Sequence, residues 1–190
     1  MLEPAFLASK FNAACAFEAY LAKATPDQLA TWTRATKACT LTTPQRTLLA
    51  SFTRRVNVLV TSGLWCGDCA HQVPMLHQIA QAANGVIDLR LLDRDEHEDL
   101  ARQVSICGGL RVPTVIFMNE DQEFVGIAGD KSLSRLRAKA AKSLGASCPL
   151  PGADLPADEA AATLGDWVNE HERVHLLVRL SPKLRQRHGD

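Results

Sequence analysis

The stretch TSGLWCGDCAHQVP, residues 61–74, decides how this chain folds, because it holds two cysteines where one secondary structure gives way to another. Upstream, VNVLVTS (56–62) is a β-branched run bounded by polar residues, which predicts a buried strand. Downstream, residues 66–83 have helical spacing. Taken alone, Cys66 and Cys69 are a redox disulfide, half of a metal site, or two thiols that happen to lie close.

The position of the two cysteines favours redox chemistry. Cys66 would begin the helix, where unpaired backbone N–H groups and the helix dipole favour a thiolate. Cys69 would lie one turn later on the same side, a separation that suits a disulfide. We expect Cys66 to attack a substrate disulfide and Cys69 to resolve the mixed disulfide that forms. Gly67 would let a substrate backbone approach closely, and Trp65 would shield the pair on one side.

A second segment, RVPT at 111–114, bears on the same site. Pro113 directly precedes a predicted strand and follows a loop that must fold back toward the cysteines, which makes it a candidate cis-proline. It would leave the backbone of Val112 free to pair with an extended substrate. By itself, a proline in this position is more often an ordinary trans residue at the start of a strand.

The rest of the central region completes a small α/β unit. Its predicted order is β-α-β-α-β-β-α, with the first two strands parallel and the last two in an antiparallel hairpin. The result is a small mixed sheet with helices on both faces. The further strands are predicted at 85–93, 113–119 and 123–129, and the further helices at 96–106, capped by Asp95, and at 130–145.

Both ends of the chain are predicted to be helical extensions. Residues 1–55 favour three short helices, two of them starting at Thr-Pro pairs with Thr25 and Thr43 as N-caps. Near the C-terminus a Pro- and Gly-rich linker leads into a last helix, with a candidate break at Gly165 and a basic, solvated tail. The predicted domains are the N-terminal extension (1–55), the central domain (56–145), and the linker with the C-terminal extension (146–190).

The combination of WCGDC, the proline that follows it, VPT and the hairpin leading into GIAGDKSLSRLRAKA resembles the thioredoxin family over residues 56 to about 144. The resemblance implies a thioredoxin-like α/β fold in which a small mixed central sheet is flanked by helices. It also implies catalytic cysteines and a cis-proline that lines the substrate groove. The residues that match the family by position are Trp65, Cys66, Gly67, Cys69, Pro74, Pro113 and Gly129.

The function that this resemblance implies is thiol–disulfide oxidoreduction, in the form of a dithiol reductase of protein disulfides. The redox group would be the Cys66–Cys69 disulfide itself, with no cofactor and no metal. The substrate would be a disulfide-containing protein or a small thiol, and electrons would come from a thioredoxin-reductase system or small thiols. Trp65, Gly67, Val112, Pro113 and Gly129 would contact the substrate.

The sequence departs from the family at two positions beside the thiols. Members usually keep a buried acid six residues before the first cysteine, where this chain has Val60, and Asp68 replaces the proline of the commoner WCGPC motif. An anion beside the thiols should disfavour a thiolate. We hypothesise that Asp68 assists proton transfer at Cys69 and keeps the couple reducing. The alternative is that Asp68 only caps the helix.

A rival motif, HERVH at 171–175, matches the H-E-x-x-H pattern of zinc proteases, in which Glu172 would activate water. A protease of this type needs a third ligand, and only a short tail with no glutamate follows His175. The same segment also fits an ordinary amphipathic helix. Its apolar contacts would be Trp167, Val168, Val174, Leu177 and Val178.

Two further alternatives remain open. A metal or iron–sulfur site could use Cys66 and Cys69 with Cys107 or His71, although no second closely spaced ligand pair is evident. A protein-binding module could keep the fold with little redox turnover. Two further cysteines, Cys15 and Cys39, lie in the helical N-terminal region and are expected to be small apolar core residues.

Composition sets few limits on function. The chain of 190 residues suits one domain with extensions, and its formal net charge of zero indicates neither nucleic acid nor an anionic membrane as a partner. No apolar run is long enough to span a bilayer, and the N-terminal stretch lacks the pattern of a secretory signal. A cytoplasmic protein is therefore expected.

Overall fold

The computed structural model describes residues 2–38, 40–144 and 158–189, and a four-stranded mixed sheet lies at its centre. Strand β1 pairs in parallel with β2 and antiparallel with β3, and β3 forms an antiparallel hairpin with β4. The spatial order is β2-β1-β3-β4, so β2 and β4 are the edges. The expected mixed sheet is confirmed. The strands are β1 (Val56–Ser62), β2 (Ile87–Asp93), β3 (Thr114–Met118) and β4 (Phe124–Gly129).

Helices surround the sheet in the predicted β-α-β-α-β-β-α order and extend it at both ends. The central helices are α5 (Gly67–Ala82), α6 (Glu98–Gln103) and α7 (Leu133–Leu144). The N-terminal helices are α1 (Pro4–Ala13), α2 (Phe17–Leu21), α3 (Pro26–Ala38) and α4 (Thr43–Ala50), and the C-terminal ones are α8 (Glu159–Leu180) and α9 (Pro182–His188). No helix in the part of the chain that the structure describes is both long and apolar enough to cross a membrane.

The sheet separates two hydrophobic cores. The larger core lies on the side of α5 and also takes in buried side chains of α2, α3, α4, α8 and α9. The smaller core lies on the opposite side, between the sheet and helices α1 and α6. Side chains of β1 alternate between them, with Val56, Val58 and Val60 in the larger core and Leu59 in the smaller one. By the same alternation, Thr61 faces the side of the smaller core and Ser62 the side of the larger core.

The N-terminal extension differs from the prediction in detail. It forms four helices instead of three, because the chain leaves helical geometry at Ala14 and Cys15 pairs with Leu91 on the outer edge of β2 in a single antiparallel bridge. The extension thus covers part of the outer edge of β2. Helix α4 is capped by Thr42 through a capping box with Gln45, so the prediction of Thr43 was one residue off.

Two caps and the C-terminal region also need correction. Helix α6 has His97 as its N-cap, so the prediction of Asp95 was wrong. Helix α8 runs without a break through Gly165, and the basic end of the chain is not a solvated tail, because it forms α9 with Leu184 buried. In α8 the predicted contact Leu177 is 45% exposed, whereas the other four predicted contacts are buried. The linker over residues 146–157 lies outside the described residues, as do Cys39 and Cys148.

Candidate active site

The two cysteines of the CGDC motif sit at the junction of β1 and α5, where the sequence placed them. Cys66 is the N-cap of α5 and has an extended backbone (φ −87°, ψ 121°), and its Sγ accepts a hydrogen bond from the Cys69 N–H at 3.4 Å. Cys69 lies in the first turn and is fully buried, whereas Cys66 is only partly buried. Both are free thiols in the structure. Because of their different burial, Cys66 is accessible to a substrate and Cys69 is not.

The two thiols have opposite acidities. The hydrogen bond with the Cys69 side chain outweighs the effect of burial and, together with the backbone N–H groups of Cys69 and Asp68, lowers the pKa of Cys66 to about 6. Burial and the adjacent Cys66 raise the pKa of the Cys69 thiol well above its usual value. Near neutral pH the accessible sulfur is therefore largely the thiolate and the buried one the thiol.

The segment around Pro113 closes one side of the site. The Val112–Pro113 peptide bond is cis, and the Val112 carbonyl accepts a hydrogen bond from Cys66 Sγ at 3.6 Å. Val112 makes no backbone–backbone hydrogen bond to a described residue, so its N–H has no such partner. Gly129 packs against this segment from β4, because a Cβ at Gly129, whose φ is +133°, would lie 2.4 Å from the Pro113 carbonyl oxygen.

Trp65 and Gly67 flank Cys66 on the open side. Trp65 is 54% exposed, and its ring lies under the Arg94 guanidinium at 4.7 Å. A Cβ on Gly67 would meet nothing within 4 Å, so the approach to Cys66 over this residue is open. A cavity of about 200 Å³ runs beside Cys66, between the turn at residues 64–67 and the first turns of α3. The N-terminal extension therefore forms one wall of the entrance to the thiol.

Asp68 is held by two cations that sequence reasoning did not connect with the motif. Its carboxylate accepts hydrogen bonds from Arg135 Nε at 2.7 Å and pairs with Lys131 Nζ at 3.0 Å. Burial opposes ionisation, but these two cations outweigh it and lower the pKa of the Asp68 carboxyl below its usual value. Asp68 is not the helix cap, because Cys66 occupies that position. Its role in proton transfer remains a prediction.

Lys131 and Arg135 were missed because they lie more than sixty residues from Asp68 in the sequence. Lys131 follows the end of β4, the strand that packs on the Pro113 segment, and Arg135 lies in the first turn of α7. The one available signal was topological: the hairpin returns the GDK segment to the carboxyl end of β1. Arg135 Nη1 also pairs with Glu159 of α8 at 2.9 Å, so the carboxylate of Asp68 belongs to a network that joins three helices.

The histidines of HERVH lie in the core and away from an open site. His171 is 2% exposed, with Nδ1 2.7 Å from the Trp167 carbonyl oxygen, and it packs edge-on against Phe117. His175 stacks on Phe52 at 4.3 Å. Within residues 2–38, 40–144 and 158–189 there is no group of three or more His, Cys, Asp or Glu side chains that could hold a metal ion. The arrangement is that of two aromatic core residues.

Among the described residues, the other candidate thiol and histidine ligands form no metal-binding cluster with Cys66 and Cys69. Cys107 is exposed in the loop before Pro113, and Cys15 takes part in the bridge to β2. His71 is exposed on α5, with Nδ1 2.7 Å from the Gly67 carbonyl oxygen. The structure thus brings together Trp65 to Cys69, Val112, Pro113 and Gly129.

Comparisons with known proteins agree with this geometry. A family model described as thioredoxin matches residues 14–131. Thioredoxin H2 of Arabidopsis thaliana is 32% identical over 83 residues, which make up 40% of this chain and 59% of that relative. The match therefore spans less than two thirds of the length of the curated relative.

Two solved structures share the fold over almost the whole chain. A protein of unknown function from Pseudomonas aeruginosa has 18% sequence identity and a TM-score of 0.69, covering 90% of this chain and 96% of its own. An HIV epitope scaffold has 19% identity and a TM-score of 0.67, covering 87% and 97%. At such identities the likeness concerns the fold, and it extends to the helical regions outside the central sheet.

Proposed function

This chain belongs to the thioredoxin family, and on that premise we propose that it is a dithiol reductase of protein disulfides with Cys66 and Cys69 as its redox pair. Family and fold support a thiol-oxidoreductase function in general. The observation that carries the specific proposal is the asymmetry of the pair. An accessible sulfur with its pKa lowered to about 6 lies directly above a buried thiol with a raised pKa.

The asymmetry suits a two-step exchange. The Cys66 thiolate attacks one sulfur of the substrate disulfide, forms a mixed disulfide, and expels the other substrate sulfur as a thiolate that takes up a proton. Cys69 then attacks Cys66 Sγ, and the second substrate sulfur leaves. The protein ends with a Cys66–Cys69 disulfide and the substrate with two thiols. Because Cys69 is buried, it reacts with the sulfur held above it rather than with a second substrate.

An extended peptide fits the surface around Cys66. The Val112 N–H lacks a backbone partner among the described residues, and the carbonyl of the same residue lies 3.6 Å from Cys66 Sγ, so the N–H is available to a substrate main chain beside the thiol. Trp65 is 54% exposed beside Cys66 on the open side, and the open approach over Gly67 admits a chain at close range. We assign Val112, Pro113 and Gly129 to the wall of the substrate groove, with Gly129 acting through its tight packing on Pro113.

The reaction also needs an electron donor for the Cys66–Cys69 disulfide that it leaves behind. The oxidised pair must be reduced again, and a thioredoxin-reductase system or a small thiol has the required chemistry. No bound cofactor is needed, because the electron pair is carried by the two sulfurs. Catalysis in a reducing compartment such as the cytoplasm would keep the pair as thiols, the form in which Cys66 is nucleophilic.

The direct test is reduction of insulin disulfides by dithiothreitol, followed as precipitation of the insulin chains. We expect the protein to accelerate this reaction and Cys66→Ser to abolish the acceleration, a loss of at least about a hundredfold. Cys107→Ser, which changes an exposed thiol away from the motif, is the matched control and should leave the rate unchanged. A Cys66→Ser variant that still accelerates the reaction would refute the proposal.

The reduction potential of the Cys66–Cys69 couple decides the direction. A value near the thioredoxin end of the range, about −270 mV, agrees with a reductase, whereas about −120 mV would make the protein an oxidant. Equilibration with glutathione buffers, read by peptide mass spectrometry at the two cysteines, gives this value.

A further inference from the structure

Two buried hydroxyl groups near Cys69 have no hydrogen-bond partner among the described residues. They are the Tyr20 hydroxyl from α2 and the Ser62 hydroxyl at the end of β1, in side chains that are 1% and 0% exposed. A buried hydroxyl without a partner costs free energy, so such a pair calls for an explanation. Neither residue has a part in the exchange described so far.

The sheet geometry places both groups on the side of Cys69. Val56, Val58 and Val60 of β1 face the larger core, and Ser62 is the next residue in that alternation. Tyr20 and Cys69 are both members of the same core. Thr61, another buried hydroxyl without a partner among the described residues, follows Leu59 by two positions and faces the opposite side of the sheet. Ser62 thus points toward the buried thiol, and Thr61 points away from it.

The electrostatics agree with this placement. Burial raises the pKa of both the Tyr20 hydroxyl and the Cys69 thiol, and in each case Ser62 acts in the opposite direction, toward the ionised form. Ser62 is therefore the polar group that the two share. The Ser62 oxygen lies close enough to both groups to act on their pKa values, but no contact to a described residue meets the geometric limits of a hydrogen bond.

The resolving step creates a need for such a group. Cys69 must lose its proton to attack Cys66 Sγ, yet it is fully buried, and Val60 of β1, which lies in the same core, has an apolar side chain. Within the described residues, the Asp68 carboxylate is engaged by Lys131 and Arg135. A thiolate in this position needs hydrogen-bond donors, and hydrogen bonds to an ionised group are stronger than those to a neutral one.

We propose that Ser62 is a catalytic residue that donates a hydrogen bond to Cys69 as the thiolate forms, and that Tyr20 is a positioning residue that donates to Ser62. The inference rests on the proposed function. In the step concerned, the Cys69–Cys66 bond forms while the bond between Cys66 and the substrate sulfur breaks. The substrate sulfur leaves with the electron pair and takes up, through solvent, the proton that Cys69 released. Ser62 and Tyr20 keep their own protons throughout.

This assignment gives the N-terminal extension a function. Tyr20 belongs to α2, and its ring packs 6.1 Å from that of Trp32 in α3, which holds it in place. Trp32 in turn donates from Nε1 to the Leu64 carbonyl in the turn before Cys66, at 3.2 Å. The extension therefore reaches the thiol pair from two sides, one through the core and one through the turn.

The test is a stopped-flow reaction of the reduced protein with an equimolar amount of the aromatic disulfide 5,5′-dithiobis(2-nitrobenzoate). Attack by Cys66 releases one nitrothiobenzoate, and resolution by Cys69 releases the second. We expect Ser62→Ala to slow the second release about tenfold at neutral pH and to move its pH midpoint upward, with the first release unchanged. Tyr20→Phe should act in the same direction with a smaller effect, and Ser62→Thr should restore the rate.

Thr61→Val is the matched control, because it removes a buried hydroxyl from the opposite face of the same strand. It should leave both releases unchanged. An unaltered second release in Ser62→Ala, or an equal slowing in Thr61→Val, would overturn the inference. If the unmodified protein gave no second release, or if Cys66→Ser still gave the first, the proposed function itself would fail. The two failures are therefore distinguishable.

Discussion

The CGDC motif and the HERVH motif are each four or five residues long, and each matches a known pattern of reactive side chains. Their settings in the structure are opposite. Cys66 lies at a helix N-terminus with an open approach, whereas His171 and His175 are enclosed by aromatic and apolar side chains of the larger core. One setting lowers the pKa of a nucleophile and exposes it, and the other suppresses the charge of a base.

The chemistry of such a short motif depends on the residues that surround it in the fold more than on its own sequence. The spacing of i and i+4 that brings two zinc ligands together also places two side chains on the buried face of a helix. In HERVH the rings of Phe52 and Phe117 pack against the two histidines, and the Trp167 backbone carbonyl lies 2.7 Å from His171 Nδ1. In CGDC the neighbours are backbone N–H groups and a carbonyl, which act on sulfur.

The largest expected effect of the difference between the two motifs is on the pH dependence of the free energy of unfolding. Burial lowers the pKa of His171 to about 4, from 6.5 for the free group, so the folded state binds fewer protons than the unfolded state in this interval. The stabilisation is complete above about pH 6.5 and is lost as the pH falls toward 4, in total about 3 kcal/mol. Urea unfolding at a series of pH values measures it. A stability that is constant between pH 6.5 and 4 would contradict the burial of a neutral His171.

A slightly smaller change in the free energy of unfolding is expected when a residue of the HERVH motif is replaced, and almost none when Cys66 is. His171→Ala should lower the free energy of unfolding by about 2 kcal/mol, because it leaves a cavity in the core, with little effect on the pH dependence of Cys66 alkylation. Cys66→Ser should have the reverse profile. It abolishes thiol chemistry and changes stability by less than about 0.5 kcal/mol, since serine is a favoured N-cap residue.

The control for the first variant is His71→Ala, which removes an exposed histidine on α5 and should change stability little. Chemical denaturation and iodoacetamide alkylation of each variant give the two readings. If His171→Ala removed activity while the fold stayed intact, the histidine motif would have a chemical role after all.

The sequence was sufficient for the sheet because each strand is specified locally. The β-branched run of β1 and the hairpin between β3 and β4 carry their own signals, and the bounds agree with the structure to within a residue or two. The helix count failed at Ala14 to Ala16, where the chain leaves helical geometry to pair with Leu91, a contact no local propensity reports. Gly165 failed in the opposite sense, since burial of Leu164, Trp167 and Val168 outweighs one helix-disfavouring glycine.

The candidate site divides in the same way. Cys66, Cys69 and Pro113 lie in segments whose local pattern indicates their positions. The partners of Asp68 come from the end of the hairpin (Lys131) and from α7 (Arg135), and Tyr20 comes from α2. All three depend on tertiary packing that a single sequence does not display. The residues that adjust the acidity of the thiols lie far from the CGDC motif in the sequence, whereas the motif itself indicates the two thiols.

The smallest expected effect concerns the charge between the cysteines. Asp68 raises the pKa of Cys66 through its charge, and it also neutralises Lys131 and Arg135. Asp68→Asn removes the anion and leaves the two cations, and both changes favour the Cys66 thiolate. We therefore expect the pH midpoint of Cys66 alkylation to fall by about half a pH unit. Mass spectrometry of the peptide that contains Cys66 reads the alkylation site by site.

Asp130→Asn is a close control, because Asp130 also pairs with Lys131 but is not among the charges that act on Cys66. Its effect on the midpoint should be smaller than that of Asp68→Asn. If Asp68 instead assists proton transfer at Cys69, then Asp68→Asn would slow the second nitrothiobenzoate release while the first is kept or accelerated. A fall in the Cys66 midpoint with an unchanged second release would show that Asp68 sets the acidity of the first thiol and has no part in proton transfer at the second.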